Sequence, residues 1–168
     1  VTGADPNRLG PTRIADLLVV GGVAALIGWG LTWLNYSHIP GLPLLAGLPA
    51  ALIGVGEAIA GHGLRSRIRE RSRPPETRSG RPPVPALTAA RALTVAKATA
   101  LAGAAFCGLW LGFGLYVIPD ASTVTAAASD TIAAIIGFVS AVVMLAGGLY
   151  LEFCCRAPND SSGPDARS

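Results

Sequence analysis

"GEAIAGHGLRSRIRERSR", Gly56 to Arg73, joins two kinds of chain. Its first part is apolar apart from Glu57. Its second part carries an arginine at every second position: Arg65, Arg67, Arg69, Arg71 and Arg73. Three readings compete: a nucleic-acid arm, a charged helix, or the point where a chain leaves a membrane. The flanking sequence decides between them. Upstream, the apolar stretch reaches back to Leu42, so Leu42–Gly61 is a run broken only by Glu57. Downstream, residues 62–85 are polar, with "SRPPETRSGRPPVP" at their centre. Such a segment reads as a linker, because it has too little apolar surface to bury a core.

Three more apolar runs surround this one. Leu17–Leu34, "LLVVGGVAALIGWGLTWL", has no charge in eighteen residues. As a helix it extends about 27 Å, close to the hydrocarbon thickness of a bilayer. Trp29, Trp33 and Tyr36 sit at its far end, where an aromatic belt belongs. Ala86–Ile118 contains no proline, and its only charges are Arg91 and Lys97. One helix of that length measures about 50 Å, so the spanning part is expected to be Ala98–Ile118, with Ala86–Lys97 as an extension. The fourth run is Thr131–Phe153. Ser129 or Asp130 is the expected N-cap. Glu152 and Arg156 stand i,i+4 at its exit, in the favourable order.

Composition agrees. The chain is 51% hydrophobic and only 14% charged, whereas a soluble domain carries about 25% charge. Four spans are therefore expected, at 17–34, 42–61, 98–118 and 131–153. They form one domain over 13–156, between a disordered leader, 1–12, and a disordered tail, 157–168. No cleavable signal is expected.

Charge sets the threading. Arg8 and Arg13 precede the first span. Nine cations, Arg65 to Lys97, lie between the second and third spans, and Arg156 and Arg167 follow the fourth. The two remaining links carry none. Four spans place all thirteen cations on one side, and the positive-inside rule makes that side cytoplasmic. The expected fold is thus an all-α integral membrane four-helix bundle in the plasma membrane, with both termini cytoplasmic. The alternating arginines then follow the second helix into the cytoplasm. A two-residue spacing turns each by about 200°, so they point all round the helix. No aromatic residues interleave with them, and no nucleic-acid partner is expected.

Small residues recur every fourth position in the third helix: Ala96, Ala100, Ala104, Gly108 and Gly112. Ala50, Gly54 and Ala58 repeat the pattern in the second helix, and Ala133, Gly137 and Ala141 in the fourth. Such stripes let backbones approach closely, either within the bundle or in a homo-oligomer. Asp16, Glu57, Arg91, Lys97, Glu152 and Arg156 form an expected charged cluster near the cytoplasmic face. It reads as a proton, ion or partner site, or as a network that anchors and registers the helices. His38 and His62 fall on opposite sides, and Cys154-Cys155 has no further ligand nearby, so no metal is expected. Cys107 falls within an apolar run and is expected to pack. No nucleophile elbow, phosphate loop or HExxH motif is present. No catalytic residue and no cofactor is expected.

The stretches "GPTRIADL" from Gly10, "EAIAGHGLRSRIR" from Glu57, "LTAARALTVAKATALAGA" from Leu87 and "LEFCCRAP" from Leu151 resemble a family of small four-span actinobacterial membrane proteins. That family is classified only as a domain of unknown function. The resemblance covers most of Gly10–Pro158 and implies a plasma-membrane location and no assigned activity. The residues point first to a non-enzymatic accessory protein. Its loop, Arg65, Arg67, Arg69, Arg71, Arg73, Arg78 and Arg81, would engage anionic lipid headgroups or a membrane-protein partner. The alternative is a small transporter or proton-coupled channel, with Glu57 and Lys97 near its mouth.

Overall fold

The computed structural model describes residues 12–35, 43–71, 86–120 and 125–156. Four helices account for nearly all of them: α1, Ile14–Asn35; α2, Leu48–Arg71; α3, Ala86–Val117; and α4, Thr125–Arg156. A 3₁₀ turn, Ile118–Asp120, closes α3 at Pro119. No strand occurs among the described residues.

Local chemistry explains the helix ends. The Arg13 carbonyl accepts the amides of Asp16, at 3.0 Å, and Leu17, at 3.4 Å, and so opens α1. Asp16 in that first turn suits the positive end of the helix dipole. Pro49 lies in the first turn of α2, where a missing N–H costs nothing. Pro74 and Pro75 follow soon after Arg71, where α2 stops.

Three boundaries differ from the sequence expectation. α2 becomes helical at Leu48 rather than Leu42, and it runs on to Arg71 through ten residues read as linker. Nothing from Leu64 to Arg71 opposes a helix, because no proline or glycine intervenes. α4 begins at Thr125, so Ser129 and Asp130 lie inside it instead of capping it. Ala126 to Ala128 are strong helix formers, and they carry the helix beyond the apolar run.

Three helical stretches are long and apolar enough to cross a membrane: Ile14–Asn35, Ala90–Val117 and Ala127–Cys155. Their large side chains face outward. Leu18, Leu26 and Leu34 are 70%, 72% and 66% exposed. The side chains between helices are small instead: Ala96, Ala100, Ala133 and Ala141 are almost fully buried. Large apolar groups outside and small ones inside suit a lipid solvent, where association depends on close packing.

The packing order is α1–α3–α4–α2, a row in which α3 and α4 occupy the middle. Gly21 meets Ala104 and Gly28 meets Leu109, so α1 and α3 run parallel. Gly148 meets Ala96 and Ala100, and Gly103 meets Leu145, so α4 runs antiparallel to α3. Gly47 meets Gly137 and Gly61 meets Leu151, so α2 runs parallel to α4. The starts of α1 and α3 and the finishes of α2 and α4 therefore share one end. It is called the basic end here, and the opposite one the link end. Phe113, Val117, Ala127 and Ala134 pack near the link end, with the Trp110 ring edge-on to Phe113 at 6.1 Å. Leu17, Ala100 and Ala104 pack with Leu145 nearer the basic end.

Candidate functional site

The helix seams fix where every polar group at the basic end stands. Ala96 and Ala100 are fully buried, under Gly148 of α4. Ala104 is buried beside Gly21. A Cβ at Gly108 would collide with the Gly21 carbonyl oxygen, and one at Gly112 with that of Ala25. One stripe on α3 thus serves two neighbours, α4 at the basic end and α1 along its length. Gly54 of α2 and Gly147 of α4 cross in the same manner, with no space for a Cβ on either. Each of these contacts lies within one chain.

Glu152 is only 5% exposed, in the last turns of α4. Its carboxylate accepts the Thr12 backbone N–H at 3.0 Å and the Thr12 hydroxyl. The chain just before α1 is therefore pinned to the finish of α4. Thr12, which the sequence placed in the leader, belongs to the folded body. A carboxylate here also meets the positive end of α1. The Arg156 side chain, and those of Arg67, Arg69 and Arg71, lie outside the described residues, as do Arg73, Arg78, Arg81, Ser37 and His38.

Glu57 stands on the face of α2 that meets α4, between Gly54 and Gly61. It is half-buried, and its Oε2 is buried without a hydrogen-bond partner. Lys97 is half-buried on α3 and has an interaction partner. Both lie at a similar height, since Gly61 reaches Leu151 while Ala96 and Ala100 reach Gly148. α4 separates their helices, however, so they do not share a seam. Asp16 and Arg91 are exposed. Asp16, Glu57, Arg91, Lys97 and Glu152 thus all stand toward the basic end.

The structure adds three features. The Arg65 guanidinium lies over the Phe153 ring, 5.3 Å from its centroid, a cation–π contact between α2 and α4. Asp130 is buried near the link end, 6% exposed, and has an interaction partner. Its spacing from Ala127, Ala134 and Gly137 puts it on the stripe facing α3, a signal obscured by reading it as a cap. An apolar groove of about 510 Å³ is lined by α1 from Ile14 to Ala25, α3 from Ala104 to Leu111 and α4 from Phe138 to Leu149. Cys107 lines it. Among the described residues no group of three or more His, Cys, Asp or Glu is placed to hold a metal ion.

The family described as "Protein of unknown function (DUF3180)" matches residues 17–159. The chain belongs to the DUF3180 family. The matched region opens at Leu17, the first buried residue of α1, and contains the seams, Glu57, Glu152 and most of the groove. Thr12 and Arg13 of this DUF3180 chain lie before it, although Glu152, which holds Thr12, lies within it. No curated protein and no solved structure matches the chain.

Proposed function

We propose that this protein is a four-span plasma-membrane accessory protein with both termini in the cytoplasm. Its basic end engages anionic headgroups or a membrane-protein partner. The observation that carries the reading is the agreement of charge with helix direction. α1 and α3 run away from the basic end, and α4 and α2 run toward it. Both links without a cation lie at the other end, so every Lys and Arg falls outside them. α2 projects past Gly61 by ten residues, about 15 Å, and carries Arg65, Arg67, Arg69 and Arg71 beyond the apolar body. Each such cation near an anionic surface contributes about 1 kcal/mol.

Cysteine accessibility tests the threading. Ser37→Cys should react with an impermeant maleimide from outside cells, and Ser79→Cys only from inside. Labelling of both from one side removes the four-span arrangement. Changing Arg67, Arg69, Arg71, Arg73, Arg78 and Arg81 together to Gln tests the role. Recovery of crosslinked partner or of co-purified anionic lipid should fall, and unchanged recovery of both refutes it.

A second reading rests on Glu57, whose buried Oε2 has no partner. A carboxylate in that state suits a proton or cation path along the α2–α4 seam. Flux into proteoliposomes should then differ between wild type and Glu57→Gln. Absence of flux in both removes this reading.

A further inference from the structure

We propose that the groove between α1 and α4 holds one acyl chain of an anionic phospholipid, whose headgroup rests at Arg13. This rests on the membrane threading proposed above. The groove extends along α1 from Ile14 to Ala25 and along α4 from Phe138 to Leu149. Each is twelve residues, a rise of about 16 Å, which is one leaflet of a core about 30 Å thick. It begins at the basic end, where exposed Arg13 precedes Ile14, and finishes near mid-height at Leu111 and Phe138.

Its size selects the occupant. The groove holds about 510 Å³. A helix about 10 Å across would fill roughly 1,250 Å³ over the same length. The space therefore suits something slimmer than a helix. Its walls are apolar apart from the Cys107 thiol. Gly22 lines it, and a Cβ there would have nothing within 4 Å, so a large side chain at Gly22 has free space to enter the groove. Asp16 is also exposed in the first turn, and Glu152 is held by Thr12, so Arg13 is the cation nearest the mouth on α1.

The test uses full-length protein in liposomes with phosphatidylglycerol or phosphatidylcholine bearing a mid-chain diazirine. Crosslinked residues are mapped by mass spectrometry. Phosphatidylglycerol is expected to label residues midway along the groove, Cys107 and Leu145 among them, at least fivefold above the outer face of α1. Gly22→Trp should lower that labelling at least fivefold. Gly56→Trp, equally free of neighbours but on α2, should leave it unchanged. Even labelling around α1, or indifference to Gly22→Trp, overturns the bound chain in favour of bulk lipid. Disulfide-linked dimers through Cys107 overturn it in favour of a second copy. Equal groove labelling by both lipids, or no loss in Arg13→Gln, overturns the headgroup assignment. The Ser79→Cys readout is separate, so failed threading is distinguishable from an empty groove.

Discussion

Whether α2 belongs to the packed body is tested by two glycines two residues apart. A Cβ at Gly54 would stand 2.6 Å from Met144 Cα and 2.7 Å from Met144 N. Both are backbone atoms, so no rotamer change relieves the contact. The Val143 carbonyl oxygen is nearer still, and ordinary contact begins near 3.4 Å, so α2 must retreat from α4 by about 1 Å. A gap of that size forfeits a quarter to a half of the dispersion well along the seam. Overpacking of this kind costs about 1–3 kcal/mol. A Cβ at Gly56 meets nothing within 4 Å. Gly54→Ala and Gly56→Ala gain the same helix propensity, so their difference isolates the clash. The expected gap is about 2–12 °C in Tm, at 2–4 °C per kcal/mol for a chain of this size. Thermal unfolding in detergent, followed with a thiol-reactive dye, reads it, because Cys154 is only 1% exposed when folded. A Gly54→Ala protein as stable as Gly56→Ala would refute the α2–α4 seam.

Glu152→Ala should lose about 1–3 kcal/mol by leaving the Thr12 N–H and hydroxyl without their carboxylate, and the same melting assay measures it. Gly137→Val should force the Trp110 ring from its seat, since the added Cβ would overlap it, and should shift tryptophan emission. In the folded protein Cys155 should react with maleimide several-fold faster than Cys154, which is buried; equal rates contradict the placement of the last turn of α4. A fluorophore attached at Leu45→Cys should be quenched by lipid-borne nitroxide, and the free thiol protected from impermeant maleimide, because Leu45 is 66% exposed yet lies beside the middle of α4.

The helices were legible because apolar run length and proline placement both report helix. Three of the four apolar runs coincide with stretches long enough to span. Helix starts were less legible, since an apolar run marks where lipid begins, not where backbone hydrogen bonding begins. Thr125 to Ser129 is polar enough to read as a link, yet its alanines extend α4. The stripe Ala96 to Gly112 identified a seam but not its partners. A small residue records that some backbone comes close, not which one. The row order α1–α3–α4–α2 and the Thr12–Glu152 contact depend on pairings between different helices, up to 140 residues apart, to which no local period corresponds.

α2 is helical over only part of its apolar run, and the turn before it explains why. Gly47 lies against Gly137, twelve residues after α4 begins, or about 18 Å from the link end. Pro43 to Gly47 is thus turn rather than helix beside the middle of α4, which the proposed four-span threading makes a depth where water is scarce. Backbone groups there must find partners within the protein. The turn does so locally: Ala46 N donates to Pro43 O at 2.9 Å, Leu48 N to Leu45 O at 3.0 Å and Ala50 N to Gly47 O at 3.1 Å. Pro43 and Pro49 remove two further donors from the same segment, so the prolines lower the number of N–H groups to be satisfied. Gly47 lets the turn settle against Gly137 and Ser140, since a Cβ there would be 2.7 Å from Gly137 Cα. Pro43 and Pro49 therefore bracket the turn from which α2, shorter than its apolar run, begins.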